Sequence, residues 1–156
     1  MPLLIRQAKS TQDINECVEL YARISKEHII PFSIRKSEKA LREMVIRKKF
    51  FRIGEVEGRI RSWILADVVS HLHIEEPILQ QLYYASDLTG IMAAKSVRYL
   101  HEELLYHAET LGVSLVVSQG SCYDENNVMA KILEKAGWTR AGHTAIRKLP
   151  NAGAET

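Results

Sequence analysis

Apolar positions along the chain change period several times, and each change marks an element. Leu3–Ala8 (LLIRQA) has the apolar content of a short strand. Ser10 and Asp13, in STQD, place a hydroxyl three residues before an acid, the pattern of a helix start. Ile14, Cys17, Val18, Tyr21 and Ile24 then fall on one helical face. Pro31 interrupts, since proline has no amide donor and disfavours helix in the residue before it. A second helix is expected from about Ser37 to Arg47, with Leu41, Met44 and Val45 inward. FFRIGEVEGRIRSWILADVV predicts two strands turning at Glu57-Gly58, and a polar connection containing two histidines leads to a fourth strand, ILQQLYYAS.

A long helix is expected from near Gly90 to Thr110, with Val97, Leu100, Leu104, Ala108 and Leu111 on one face and Gly112 ending it. VSLVVSQ is nearly continuous in apolar residues, as in a strand buried on both faces, and a helical crossover makes it a parallel neighbour of the fourth strand. A fourth helix, about Asn126 to Ala136, turns Met129, Ile132, Leu133 and Ala136 inward and stops at Gly137. WTRAGHTAIRKL predicts a closing antiparallel pair, and NAGAET a mobile tail at 150–156. The expected architecture is a single α/β (α+β) domain over residues 1–149, in the order β-α-α-β-β-β-α-β-α-β-β.

One junction carries chemistry. YYASDLTGIMAAKSVRYL runs from a strand through Gly90 into a helix, and a helix amino end offers free amides and partial positive charge to an anion. Asp87 in that loop is an acid where an anion site favours a neutral or basic residue, and Asp87 or Thr89 is a candidate helix cap. Lys95 and Arg98 follow in the first turns. The histidines and carboxylates of HLHIEEPI (His71, His73, Glu75, Glu76) are candidates for a base, with a solvated hairpin as the structural alternative; as a metal site they lack further ligands at helical spacing.

The 156 residues carry a net charge of +2, too little to point to nucleic acid. Residues 35–52 hold eight basic residues against two acids, which reads as a solvated helix face or a surface for an acidic partner. No apolar run is long enough to span a bilayer, and the first residues lack the pattern of a secretory signal. Two cysteines, Cys17 and Cys122, are too few for a disulfide framework, so a cytoplasmic location is expected.

The succession of elements resembles the GNAT acyltransferase superfamily, in the flavour of its small bacterial and phage-encoded members. The most legible parts are LLIRQAKSTQDINECVELY and DENNVMAKILEKAGWTRAGHTAIRKL, the latter matching the family's pattern at Asn126, Glu134, Lys135, Gly137 and Trp138. The resemblance implies a mixed sheet whose fourth and fifth strands splay apart. Acetyl-coenzyme A would lie in the cleft between them, donating its acetyl group directly to an amine. It implies cofactor contacts from Tyr84, Ala85, Leu88, Thr89, Gly90, Ile91, Met92, Ala93, Ala94, Lys95 and Asn126. The acceptor pocket would come from the segment between the first two helices, through His28, Ile30 and Phe32. Three positions depart from the family's pattern: Asp87 where glutamine or arginine is usual, Met92 at a small position, and Leu133 at the place of a common tyrosine. Tyr84 and Tyr123 are then the candidate proton donors to the departing thiolate. These departures also motivate the alternative of a catalytically silent GNAT-like scaffold that binds a partner or serves a structural role. The strand holding Trp138 leaves a homodimer or a protein partner open.

Overall fold

The computed structural model describes residues 2–25, 32–119 and 128–140. In order, the elements are β1 (Leu4–Gln7), α1 (Thr11–Ile24), α2 (Ile34–Ile46), β2 (Phe50–Val56), β3 (Arg59–His71), β4 (Ile74–Ser86), α3 (Gly90–Leu111), β5 (Val116–Val117) and α4 (Val128–Lys135). The strands form one sheet in the order β1-β2-β3-β4-β5, antiparallel except for the parallel β4–β5 pair. The expected mixed α/β architecture is therefore present. The closing strand pair lies outside the described residues beyond Arg140, and so does the tail.

Helices cover both faces, and the alternation along β3 shows why. Trp63 and Leu65 enter a cluster with Cys17, Leu20 and Leu41 of α1 and α2, whereas Ile64 and Ala66 enter one with Leu100, Leu104 and Ala108 of α3. With both faces buried, the centre of the strand reads as an apolar run. A third cluster, Val97, Met129 and Leu133, packs α4 onto α3.

Local signals set the ends. Ser10 Oγ accepts from Asp13 N at 3.0 Å while Asp13 Oδ2 accepts from Ser10 N at 3.2 Å, a reciprocal cap. Asp13 also receives both terminal nitrogens of Arg6, at 2.9 and 2.7 Å, and Arg6 in turn reaches Glu55, so one guanidinium ties β1, α1 and β2 together. Gly112 takes φ +71° and closes α3 as expected.

Three expectations are corrected. Helix α2 begins at Ile34, because Ser33 caps it by accepting from Lys36 N at 3.3 Å. Leu111, expected on the buried face of α3, is 47% exposed as the last residue of the helix. The polar connection between the third and fourth strands is itself strand: β3 and β4 continue to a two-residue turn at Leu72-His73. Strand pairing satisfies the backbone there whatever the side chains, so polar residues did not mark a loop.

Candidate active site

The parallel pairing of β4 and β5 is short. It covers Leu79↔Val116 and Gln80↔Val117, with Leu79 N donating to Leu115 O at 3.0 Å. At the next residue a side chain replaces the backbone ladder: Gln81 Oε1 accepts from Gln119 N at 2.9 Å. Gln81 is 2% exposed and wedges the fork. Beyond it, β4 continues to Ser86 with no strand on that edge among the described residues.

A β-bulge lies at the same point. Leu65 pairs with Tyr83 and Ala66 with Gln81, so Leu82 is an extra residue on β4. Its effect is to turn Leu82 and Tyr83 to the same side. Leu82 packs on the α1–α2 cluster, and the Tyr83 ring lies 6.1 Å from Tyr21 and 6.4 Å from Trp63. Tyr84 is thereby sent to the other face, where its hydroxyl lies 2.9 Å from Ser96 Oγ and its ring 5.9 Å from His101. Without the bulge the two tyrosines would exchange faces.

The fork is backed by a polar chain. His101, 1% exposed on α3, has Nδ1 2.7 Å from Val97 O and Nε2 2.8 Å from Ser118 Oγ. A carbonyl only accepts, so Nδ1 carries the proton and Nε2 is an acceptor. It competes with Gln81 Oε1, 3.3 Å from Ser118 Oγ, for the one Ser118 hydroxyl proton, and the shorter contact to Nε2 is the better placed. Burial holds the His101 pKa down at about 4. The neutral ring is thus favoured in the folded chain, and stability present above pH 6.5 is lost as the pH falls from 6.5 towards 4, by up to about 3 kcal/mol. Melting temperature measured against pH should fall across that window, and His101→Leu should flatten the slope there even though the variant is less stable.

The loop after β4 leads into α3 without a side-chain cap. Thr89 occupies the N-cap position but makes no capping bond. Asp87 is drawn away: its carboxylate meets Arg61 Nε at 2.6 Å and an Arg23 terminal nitrogen at 3.0 Å. The capping role expected for Asp87 or Thr89 is therefore incorrect, because two guanidiniums outcompete the helix amides for the carboxylate. The Leu88 amide is taken by Ser86 Oγ, and the Ala93 amide by Thr89 O. Gly90, Ile91 and Met92 precede the first helical carbonyl that can serve them, so their amides carry no protein acceptor among the described residues. Gly90 takes φ +59°, and a Cβ there would face open space. Lys95 and Arg98 are exposed on the following turns.

Two arginines around one aspartate leave the loop with net positive charge. The acid that reads as a handicap in the sequence is neutralised by residues from α1 and β3. Removing Arg61 should weaken binding of a polyanion at this loop about tenfold, a change of about 1.4 kcal/mol. Asp87→Asn should leave the affinity within about threefold. Titration of both variants with coenzyme A checks this, and a large gain in Asp87→Asn would show that the carboxylate repels the ligand.

On the opposite face is a cavity of about 200 Å³. The rings of Tyr21, Phe32, Trp63 and Tyr83 surround it, over Val18 and Leu41, with Lys36, Ser37 and Ala40 of α2 completing the wall. Tyr21 meets Phe32 at 5.1 Å and Trp63 at 5.6 Å, both edge to face. Trp63 is fixed by a 3.1 Å bond from Nε1 to Cys17 O. Phe32, expected as an acceptor contact, lines this cavity. His28 and Ile30 lie outside the described residues, as do Tyr123 and Asn126.

Other sequence candidates are set aside by position. His73 and Glu75 lie at the hairpin tip, about ten residues along β4 from Tyr84, or roughly 30 Å. Glu76 accepts from Ser114 Oγ at 2.9 Å, and His71 lies 3.3 Å from Gln80 Oε1. Among the described residues no three metal-ligating side chains gather, and no helix is long and apolar enough to cross a membrane. Cys17 is fully buried, which pushes its thiol pKa far up and makes it a core residue rather than a nucleophile. Leu133 is 5% exposed and packs against Val97 and Met129, so it contributes packing and no proton donor.

Sequence reasoning missed the Gln81–Ser118–His101 chain, the arginine clamp on Asp87 and the aromatic pocket. One signal was available: His101 shares the apolar face of Val97, Leu100 and Leu104, which marks a buried histidine.

No family model and no curated protein matches the sequence. Solved structures do match it over nearly its whole length. An aminoglycoside N-acetyltransferase in complex with CoA superimposes with a TM-score of 0.72 at 12% identity, covering 95% of each chain. A possible acetyltransferase from Clostridium difficile 630 gives 0.67 at 12% identity, covering 96% of this chain and 99% of that one. An aminoglycoside acetyltransferase from an uncultured soil metagenomic sample, in complex with sisomicin, gives 0.64 at 12% identity, covering 95% of each chain. At these identities the likeness is one of fold, and the fold of this chain is that of the GNAT acetyltransferases.

Proposed function

We propose that the chain is an N-acyltransferase that moves an acetyl group from acetyl-coenzyme A to an amine by direct attack. The observation carrying this reading is the fork itself. Beyond Gln81 β4 has no strand beside it on that edge among the described residues, and it runs into an uncapped helix amino end where the carboxylate of Asp87 is neutralised. The residues present fit a pyrophosphate-bearing thioester. The amides of Gly90, Ile91 and Met92 suit the pyrophosphate, with Thr89 and the small Ala93 and Ala94 beside them and Lys95 in reach of its charge. The edge of β4 from Leu82 to Ala85, which no described strand covers, suits an amide-containing arm.

Acetyl-coenzyme A supplies an activated acyl carbon. The amine nitrogen forms a bond to that carbon, the carbon–sulfur bond breaks, the nitrogen loses a proton and the sulfur gains one. A backbone amide at Tyr84 or Ala85 would stabilise the carbonyl oxygen as negative charge builds on it. Tyr84 is the candidate acid among the described residues, its hydroxyl held by Ser96. The acceptor would approach from the aromatic pocket, which meets β4 at Tyr83.

The burial of Leu133 favours a second reading, a scaffold that binds without turnover, because the family's usual phenol is replaced by core packing. Release of free thiol from acetyl-coenzyme A, followed with a panel of amines, separates the two. Amine-dependent release supports the transferase; saturable cofactor binding with no release under any amine supports the scaffold.

A further inference from the structure

The aromatic pocket is specific enough in chemistry to name the class of acceptor. Among the described residues nine line it, of which none is acidic and one, Lys36, is cationic. Lys36 sits in the first turn of α2, whose amino end adds partial positive charge; Arg35 precedes it and Lys39 follows one turn on, with the acid Glu38 between them. Four rings alone would welcome an ammonium group, but a cation brought here meets Lys36 with no carboxylate among the described lining residues. The volume, about 200 Å³, exceeds the roughly 150 Å³ that holds a benzene molecule in an apolar protein cavity.

We propose that the acceptor is an arylalkyl amine bearing an acidic group, of the aromatic amino acid class, with its ring between Tyr21, Phe32, Trp63 and Tyr83 and its carboxylate towards Lys36. This rests on the acyl-transfer reading for the fate of the amine, but the pocket's preference is measurable without it. Polycationic acceptors, including aminoglycosides of the kind named for two of the structural neighbours, do not suit this wall.

The test uses the full chain with Trp138→Phe, which leaves Trp63 as the only tryptophan, at the pocket wall. Titration with phenylalanine and with 3-phenylpropionate should change its fluorescence saturably, whereas spermidine and kanamycin should not. Lys36→Glu, at an exposed position, should weaken 3-phenylpropionate about tenfold while leaving phenethylamine, which lacks the acid, unweakened. Ala40→Phe, at the exposed rim, should weaken all three aryl ligands by filling their space. No aryl response, a response to spermidine or kanamycin instead, or aryl affinities unchanged in both variants would overturn the proposal. Aryl binding without any binding of coenzyme A would refute the transferase reading and leave the pocket assignment standing; coenzyme A binding without aryl binding would do the reverse.

Discussion

Gly90→Asp should abolish coenzyme A binding, with a loss of about a hundredfold or more. Two effects act together. The residue takes φ +59°, so any side chain strains the backbone by about 1 kcal/mol. The new carboxylate would also stand in the open space in front of the amides of Gly90, Ile91 and Met92, where it repels a pyrophosphate and can itself accept from them. Gly90→Ala separates the two effects, since it adds the strain without the charge and should cost about tenfold or less. Calorimetry on the three proteins checks the order, with circular dichroism to show that each remains folded. Equal affinities would place the anion somewhere other than the start of α3.

Arg6→Met should destabilise the protein by about 3 kcal/mol without touching the site, because it leaves the Asp13 carboxylate buried without its ion partner. The Asp13 side chain is 7% exposed and keeps only the amides of Lys9 and Ser10 once the guanidinium is gone. The hydrogen bonds from Arg6 hold its pKa well below the usual carboxylate range. That contribution is present above the ordinary carboxylate pKa and is lost only in stronger acid. It therefore does not overlap the His101 window between pH 6.5 and 4. A loss of 3 kcal/mol corresponds to a fall in melting temperature of about 6–12 °C for a chain of this size. Pairing Arg6→Met with Asp13→Asn should recover much of it, since an amide tolerates burial better than a lone charge. A melting temperature unchanged by Arg6→Met alone would show that Asp13 is solvated in the folded chain.

The parts of this protein legible in its sequence are those written in local periodicity. The Ser10–Asp13 box, the Glu57-Gly58 turn and the Gly112 stop are each decided within a few residues, and the structure has them. The parallel placement of β5 beside β4 followed from the helix between them. What was not legible depends on residues distant in the chain. Asp87 looks like a lone acid until β3 brings Arg61 and α1 brings Arg23. The bulge at Leu82 has no glycine to announce it, yet it decides which face each tyrosine serves. The pocket is built from α1, α2, β3 and β4 together, so no single stretch could show it.

The central claim is that the fork between β4 and β5 and the start of α3 bind the acyl donor. Isothermal titration of the purified chain with acetyl-coenzyme A and with coenzyme A tests it most directly. The account predicts saturable one-to-one binding of both, weakened by Gly90→Asp and by Arg61→Ala and little changed by Asp87→Asn. No saturable heat at millimolar ligand would contradict it.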